Sequence, residues 1–289
     1  MPTYTALATL DDEPAAYALS DALEALDPTG VGAFEIEDGS GRWEVGGYFN
    51  EKPDDVALAL LAAAHGATRF VVSEVGDTDW VAQVRRELSP VRAGRRFIVH
   101  GGHDRSAVPL NAVSLEIEAA MAFGTGHHGT TEGCLEAIDA LRLTPGFHPR
   151  RIADIGCGTG VLAMAAARVW QARIIATDID PVAAATARAN FRANRIGSSA
   201  AVGRAPGFRH ARIHALAPLD LVLANILARP LRLLAPDMAR FTRSGARVVL
   251  SGVLERQIRF VLGPFENRGF ALERQALKRG WATLTLRRF

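Results

Sequence analysis

The sequence predicts an α/β protein in which a small α+β domain precedes a larger domain built on a mostly parallel sheet. In the larger domain, apolar runs of strand length alternate with helical segments, which is the pattern of a doubly wound sheet. A glycine-rich turn joins one of these runs, Ile152–Ile155, to an alanine-rich helix that starts at Val161. In the smaller domain, the predicted order is strand, helix, two strands, helix and strand. We therefore expect domains at residues 1–76 and 106–289, joined by a linker at residues 77–105.

The first 76 residues predict a ferredoxin-like sandwich. Asp38–Gly41 contains two glycines and predicts a hairpin between the second and third strands. Asp54 or Asp55 is suited to cap the second helix, and Gly66 follows that helix. Since this stretch has no glycine-rich ligand loop and no cluster of histidines or cysteines, we interpret it as a recognition module. The predicted elements are strand Tyr4–Leu10, helix Pro14–Leu26, strands Val31–Glu37 and Arg42–Phe49, a helix ending near His65, and strand Arg69–Val75.

The linker is expected to contain one helix and one strand. The helix predicted over Asp77–Leu88 carries its apolar side chains on one side, and a strand follows at Phe97–His100. His100 and His103 resemble metal ligands in type, but a zinc site takes at least three protein ligands. We therefore predict no metal site.

The larger domain is predicted to alternate strands and helices up to a final hairpin. Asp180 followed by Pro181 is a favoured helix start, with the aspartate as cap. A turn at Arg279-Gly280 separates the last two runs, so the seven-stranded sheet is expected to end in an antiparallel hairpin. The other predicted elements are strand Ser114–Ala120, a helix from Thr130 or Thr131 to Leu141, strand Arg173–Thr177, a helix ending near Asn194, strands Ala201–Arg204, Leu219–Ile226 and Ala246–Val253, helix Glu255–Arg268, and strands Phe270–Lys278 and Trp281–Arg288.

The glycine-rich turn and the strand after it predict a ligand site. Glycines at 156, 158 and 160 let the backbone turn tightly and approach a ligand closely. The turn lacks both the glycine at 161 of a dinucleotide fingerprint and the lysine of a phosphate-binding loop, which argues against a pyrophosphate. Asp178 ends the next predicted strand, roughly 20 residues downstream, where a carboxylate can accept both hydroxyls of a ribose. Together these features predict a nucleoside site.

The composition is that of an ordinary globular protein, with 48% hydrophobic and 22% charged residues. No apolar run approaches the roughly 18 residues of a membrane span, and the first residues lack the features of a signal peptide. Cys134 and Cys157 offer no disulfide framework, and we interpret Cys157 as packed inside the turn rather than nucleophilic. These observations predict a protein of the reducing cytoplasm.

The net charge of +2 conceals a division along the chain. Residues 1–76 contain 14 acidic and 3 basic side chains, a net of −11, whereas residues 77–289 contain 17 acidic and 30 basic side chains, a net of +13. The acidic end is expected to meet a basic partner, and neither sequence-specific nucleic-acid binding nor membrane binding is predicted. The alternative is a solvated acidic surface that only aids solubility.

The glycine-rich turn and Asp178 resemble the first two motifs of the class I S-adenosylmethionine-dependent methyltransferases. Three further blocks narrow the resemblance to the ribosomal protein L11 methyltransferases: MAFGTGHHGTT at Met121–Thr131, LANILARPL at Leu223–Leu231 and LSGVL at Leu250–Leu254. The resemblance covers most of residues 80–257. It implies a Rossmann-like fold, S-adenosylmethionine as the cofactor, and methyl transfer to lysine side chains and the α-amine of the large-subunit ribosomal protein L11. It also implies that the acidic N-terminal domain grips this basic substrate.

The same resemblance suggests roles for individual residues. It implies that Thr131 contacts the cofactor, and we expect Gly156 and Gly158 to approach it most closely. Asp154 is expected either to bond amides of the turn or to lie near the methionine end of the cofactor. Asn225, at the carboxyl end of a strand, is the candidate catalytic residue and a further cofactor contact, since its amide oxygen would hold the amine with the lone pair towards the methyl group. No strong general base is expected.

Three departures from related sequences affect these expectations. The family usually shows GTGTHPTT, whereas here His127 and Gly129 replace a threonine and a proline. Relatives that methylate glutamine carry N-P-P-Y where this chain continues from Asn225 as N-I-L-A. Arg204 stands near the place where many class I enzymes have an acidic residue, so no side chain is assigned to adenine.

Two alternative functions are a small-molecule methyltransferase and a non-catalytic cofactor-binding protein of ribosome assembly.

Overall fold

The structure, a computed structural model, describes residues 3–28, 30–36, 41–75, 90–109, 111–117 and 128–289. The chain divides into two compact units, Met1–Ala82 and Gln83–Phe289. The linker helix expected over Asp77–Leu88 and most of the hairpin turn expected at Asp38–Gly41 lie outside the described residues. No helix in the described ranges combines the length and apolar character needed to cross a membrane.

The first unit has the predicted ferredoxin-like architecture. Its elements are β1 Thr3–Leu10, α1 Glu13–Leu23 with a 3-10 turn to Leu26, β2 Gly30–Glu35, β3 Trp43–Phe49, α2 Asp55–His65 and β4 Val71–Val75. The strands form one antiparallel sheet in the order β2-β3-β1-β4. Alternate strand residues such as Ala6, Ala8 and Val45 pack with Leu19 and Leu58 of the helices to form the core.

Local capping explains where these helices begin and end. Asp12 caps α1 by accepting a hydrogen bond from the Ala15 N–H at 2.9 Å. Asp54, rather than Asp55, caps α2 by accepting from two backbone N–H groups of its first turn. Gly66 ends that helix in the left-handed conformation, with φ of +68°.

The second unit begins with a small three-stranded sheet in the order β5-β6-β7. Its strands are β5 Val91–Ala93, β6 Phe97–His100 and β7 Val113–Glu116. The strand predicted at Phe97–His100 is therefore present, and it lies within the second unit. The physical reason is burial, because Phe97 and Leu115 are fully buried in the core of that unit.

The main sheet of the second unit has seven strands with helices on both faces. Its elements are α3 His128–Arg142, β8 Arg151–Ile155, α4 Val161–Val169, β9 Arg173–Asp178, α5 Pro181–Ala193, β10 Ala200–Arg204, α6 Ala211–Leu216, β11 Leu219–Asn225, α7 Ala228–Phe241, β12 Thr242–Leu254, α8 Ile258–Glu266, β13 Phe270–Lys278 and β14 Trp281–Arg288. The strand order is β10-β9-β8-β11-β12-β14-β13. The first five strands in this order are parallel, and β14 joins them antiparallel, as the sequence predicts.

Some element boundaries differ from the sequence predictions, and the helix expected to start at Thr130 or Thr131 starts at His128. Strand β12 starts at Thr242 rather than Ala246, and Gly245 is a position of positive φ, +77°, inside the strand. The helix expected over Glu255–Arg268 begins with a separate 3-10 turn, Glu255–Gln257. Thr242 pairs with Leu219 of β11, and the Glu255 N–H donates to the Gly280 carbonyl at 3.0 Å, so contacts with residues distant in the sequence accompany these two boundaries.

Asn194 joins the small sheet to α5. Its Oδ1 accepts from the Glu116 backbone N–H at 2.9 Å, and its Nδ2 donates to the Glu116 carbonyl at 2.6 Å and to the Asn190 carbonyl at 2.8 Å. The side chain is buried. One amide therefore satisfies both backbone groups of a strand residue that would otherwise lack partners.

We expect Asn194→Ala to lower the free energy of unfolding by about 2–4 kcal/mol, because it leaves a buried N–H and a buried C=O unsatisfied. Chemical denaturation measures this change. Asn267→Ala, at an exposed helix end, is the control and should change it by less than about 0.5 kcal/mol. Equal effects of the two substitutions would contradict the structural role given to Asn194.

Candidate active site

The structure brings three of the predicted site residues to one edge of the main sheet. Strands β8, β9 and β11 are parallel neighbours, so their carboxyl ends meet at the same edge. The register pairs Asp154 with Leu223 on one side and with Ala176 on the other. Asp154, Asp178 and Asn225 consequently lie at or close to the ends of three adjacent strands. This is the crevice where open α/β sheets bind their ligands.

The glycine-rich turn after β8 is fixed by its neighbour β9. The N–H groups of Gly156 and Cys157 both donate to the Thr177 carbonyl, at 2.8 and 3.0 Å. Gly156, Gly158 and Gly160 all have positive φ, between +52° and +79°, which side-chain-bearing residues rarely adopt. The alternate glycines are therefore required by the backbone conformation itself.

Asp178 is oriented by two backbone donors. Its Oδ2 accepts from the Gly158 N–H at 2.8 Å, and its Oδ1 accepts from the Asp180 N–H at 3.0 Å. A carboxylate has about four lone-pair positions, so two remain for further donors. The side chain is half-buried at the edge of the crevice. This arrangement can accept two hydroxyl groups, as the sequence predicted for a ribose.

Asp154 lies beneath the turn and is almost completely buried. Its Oδ2 accepts from the Ala163 N–H in the first turn of α4 at 3.0 Å, while its Oδ1 has no hydrogen-bond partner among the described residues. Burial raises the pKa of this carboxyl to about 7, the Ala163 N–H opposes that rise, and the nearby charge of Asp178 adds to it. The backbone amide that Asp154 binds thus belongs to α4 and not to the glycine-rich turn.

Asn225 ends β11 and contacts the first turn of α3. Its Nδ2 donates to Thr130 Oγ1 at 3.2 Å, which leaves the amide oxygen outside this contact. Thr130 is fully buried, whereas the adjacent Thr131 is half-buried. The contact brings the helix that carries Thr131 to the end of the strand that carries Asn225.

Two glycines, Gly156 and Gly252, allow close packing around Ile226, the residue after Asn225. A side chain at Gly156 would overlap the Ile226 side chain, and a side chain at Gly252 would overlap the Ile226 backbone. The Ile226 N–H donates to the Ser251 carbonyl at 3.2 Å. Sequence reasoning assigned no role to Gly252, although it lies in the LSGVL block that carried part of the resemblance.

Helix α3 is also held by ion pairs that the sequence analysis did not predict. Lys278 Nζ, at the end of β13, lies 2.7 Å from Glu132 Oε1 and 2.9 Å from Glu136 Oε1. Both carboxylates belong to α3 and follow Thr131 in the chain. The sequence gives little signal of this contact, because Lys278 lies 146 residues from Glu132.

The two histidines considered as metal ligands have other partners. The ring nitrogens of His100 lie 2.7 Å from the Gly101 carbonyl and 2.6 Å from Ser114 Oγ. His103 Nε2 lies 3.1 Å from an Asp104 carboxylate oxygen. In the part of the chain that the structure describes, no group of three or more histidine, cysteine, aspartate or glutamate side chains is placed to hold a metal ion.

Comparison with known proteins identifies the family. The sequence model described as "Ribosomal protein L11 methyltransferase (PrmA)" matches residues 6–289. The chain belongs to this family. Among the similar members, the ribosomal protein L11 methyltransferase of Rhodopseudomonas palustris (strain BisB5) is 45% identical over 285 residues, covering 96% of this chain and 95% of the relative. The enzyme of that name from Bradyrhizobium diazoefficiens is 42% identical over 294 residues, covering 99% and 98%.

The fold of the PrmA family is also found by structural comparison. The crystal structure of a ribosomal protein L11 methylase from Lactobacillus delbrueckii subsp. bulgaricus superimposes with a TM-score of 0.61, covering 69% of this chain and 99% of that one at 22% identity. The class I methyltransferase fold and the family resemblance inferred from the sequence are therefore confirmed. The roles given to the six site residues remain predictions.

The raised pKa of Asp154 predicts a pH dependence of stability. An aspartate in the unfolded chain titrates near pH 4, whereas in the fold burial raises the pKa of Asp154 to about 7. Between these values the folded state binds more protons than the unfolded state, so the contribution of this group to the free energy of unfolding falls as the pH rises from about 4 to about 7. Asp154→Asn cannot ionise and should lose this decline. Denaturation of both proteins at pH 5 and pH 8 checks the prediction, and an unchanged decline in the variant would contradict it.

Proposed function

We propose that this protein transfers methyl groups from S-adenosylmethionine to amines of ribosomal protein L11. The observation that carries the proposal is the placement of Asp178 and Asn225 at one carboxyl edge of the sheet, in a chain that belongs to the PrmA family. Asp178 is suited to hold a nucleoside sugar, and Asn225 is suited to hold an amine. The family match over nearly the whole chain does not favour a small-molecule methyltransferase or a non-catalytic assembly protein.

The residues present fit the proposed cofactor. Asp178 retains two lone-pair positions for the ribose hydroxyls after accepting its two backbone N–H groups. A side chain built at Gly158 would meet no atom of the described residues within 4 Å, so these residues leave the space beside the turn open to a ligand. We assign further contacts to Thr131, Asp154 and Gly156. When bound, S-adenosylmethionine supplies an activated methyl group, and the protein contributes orientation and exclusion of water.

The amine must reach the site in its neutral form. A lysine side chain with a pKa near 10.4 loses its proton at pH 7.5 at a cost of roughly 4 kcal/mol, and an α-amine with a pKa near 8 at a cost under about 1 kcal/mol. Exclusion of water and a nearby positive charge both lower the pKa of an amine. The Asn225 oxygen, which its bond to Thr130 does not use, would accept an N–H of that amine and direct its lone pair.

The acidic N-terminal unit supports a protein substrate. Residues 1–76 carry a net charge of −11, which complements a basic ribosomal protein. We propose that this unit binds the substrate while the second unit carries the reaction.

The two cysteines are both free and buried, which agrees with the proposal that the reaction takes place in the reducing cytoplasm.

A pair of glycine substitutions tests the cofactor site. Gly158→Ala places a methyl group in the open space beside the turn, so we expect affinity for S-adenosylhomocysteine to fall at least about tenfold in isothermal titration. Gly146→Ala is the matched control, because Gly146 also has positive φ, +73°, and open space around its Cβ, but precedes β8 at the opposite edge of the sheet. Each substitution should cost about 1 kcal/mol of stability. Native affinity in Gly158→Ala would remove the turn from the cofactor site.

A second substitution tests the reaction. With radiolabelled cofactor, the wild-type protein should transfer label to ribosomal protein L11. Asn225→Ala should lower kcat at least about tenfold while cofactor affinity changes less than about threefold, because the lost contact acts on the amine. Asn267→Ala is the control and should keep native turnover. Undiminished kcat in Asn225→Ala would exclude the residue from catalysis.

A further inference from the structure

Lys278 connects the last hairpin of the main sheet to the helix that carries Thr131. Its Nζ lies 2.7 Å from Glu132 Oε1 and 2.9 Å from Glu136 Oε1, and these two carboxylates stand on successive turns of α3. The three side chains are between 22% and 26% exposed. Salt therefore screens these pairs less than it screens pairs on an open surface.

The backbone at Lys278 also lies close to this helix. A side chain at Gly129, in the first turn of α3, would lie 3.0 Å from the Lys278 carbonyl oxygen and 3.6 Å from the Trp281 side chain. Glycine stands here where the family usually has proline, and it lets the helix approach the hairpin closely. Lys278 pairs with Trp281 across the hairpin, and Trp281 pairs with Leu254 of β12. The attachment point of the helix is therefore part of the sheet.

The same sheet carries Asn225, which contacts α3 from another direction. Asn225 of β11 pairs with Ser251 of β12, and its Nδ2 donates to Thr130 Oγ1 at 3.2 Å. Thr130 and Glu132 are two residues apart, so they stand roughly 200° apart around the helix axis, given about 100° per residue. The first turns of α3 are thus attached on two nearly opposite sides to groups that belong to one sheet.

We infer that Lys278 is a positioning residue for methyl transfer, which fixes the rotation of α3 and thereby directs Thr131 towards the cofactor beside Asn225. This inference rests on the proposed function, in which Thr131 contacts the cofactor and Asn225 holds the amine. Thr131 lies between Thr130 and Glu132 in the chain, so the two attachments flank it directly. Without Lys278, the first turns would lose their attachment to the hairpin, and the two glutamates would repel each other, because like charges at i and i+4 are unfavourable.

Three single substitutions test the inference. Lys278→Met removes the charge, and we expect affinity for S-adenosylhomocysteine and kcat with ribosomal protein L11 each to fall at least about fivefold, because small misplacements of contacting groups are costly. Lys278→Arg can still pair with both carboxylates and should keep both values within about twofold. Arg142→Met is the matched control and should also stay within about twofold, because Arg142 is 30% exposed and pairs with Asp139 inside the same helix.

A double variant distinguishes pairing from a direct effect of the lysine charge. Glu132→Gln with Glu136→Gln keeps the charge of Lys278 but removes its partners. If Lys278 acts through the helix, this double variant should lose as much affinity and kcat as Lys278→Met, and adding Lys278→Met to it should cause little further loss. Native affinity and kcat in the double variant would mean that the charge acts directly on the ligands, and would overturn the inference.

A purely structural role predicts a different result. It would lower the midpoint of thermal unfolding while the folded protein kept native affinity and kcat, so both are measured well below that midpoint. If Lys278→Met does not fold, the glutamine double variant supplies the same test. Native values in folded Lys278→Met, an equal loss in Arg142→Met, or a Lys278→Arg variant as impaired as Lys278→Met would each overturn the inference.

Titration with S-adenosylhomocysteine separates this inference from the proposed function, because it measures cofactor binding without methyl transfer. If the wild-type protein binds S-adenosylhomocysteine but transfers no methyl group to ribosomal protein L11, the proposed function fails. A loss of affinity in Lys278→Met that Lys278→Arg does not share would still support the positioning role.

Discussion

Three successive backbone N–H groups tie the glycine-rich turn to the strand beside it, and the geometry of the site depends on this connection. Gly156 and Cys157 donate to the Thr177 carbonyl, and Gly158 donates to the Asp178 carboxylate. The turn and the carboxylate are therefore set by the same bonds. A ligand that contacts both meets groups whose relative positions were fixed during folding, so little order has to be created on binding.

A small number of backbone contacts also fixes the end of β11. Gly156 of the glycine-rich turn and Gly252 of β12 both lie close against Ile226. The Ile226 N–H donates to the Ser251 carbonyl. Asn225, immediately before it, has its amide nitrogen occupied by Thr130. The amide oxygen is thus the part of this side chain left for chemistry. The position of this strand end is thus set by close backbone packing around two glycines and by the Thr130 contact.

Sequence reasoning succeeded where the determinants are local. The caps at Asp54 and Asp180, the hairpin at Arg279-Gly280 and the carboxylate at the end of β9 all follow from residues close together in the chain. It failed where a contact is made between residues that are far apart in the sequence. The contact of Asn225 with Thr130 spans 95 residues and that of Lys278 with Glu132 spans 146, and neither pair has a periodic signature. The burial of Phe97 likewise depends on α3 and other elements distant in the sequence.

The position of β14 affects how the site is assembled during synthesis. This strand follows β13 in the chain but lies between β12 and β13 in the sheet. Helix α3 packs directly on it, since a side chain at Gly133 would overlap Thr283. While the chain grows, the outer edge of β12 and the part of α3 around Gly133 lack this neighbouring strand until β14 has been synthesised. This side of the main sheet is therefore completed only after residues 281–288 have been translated.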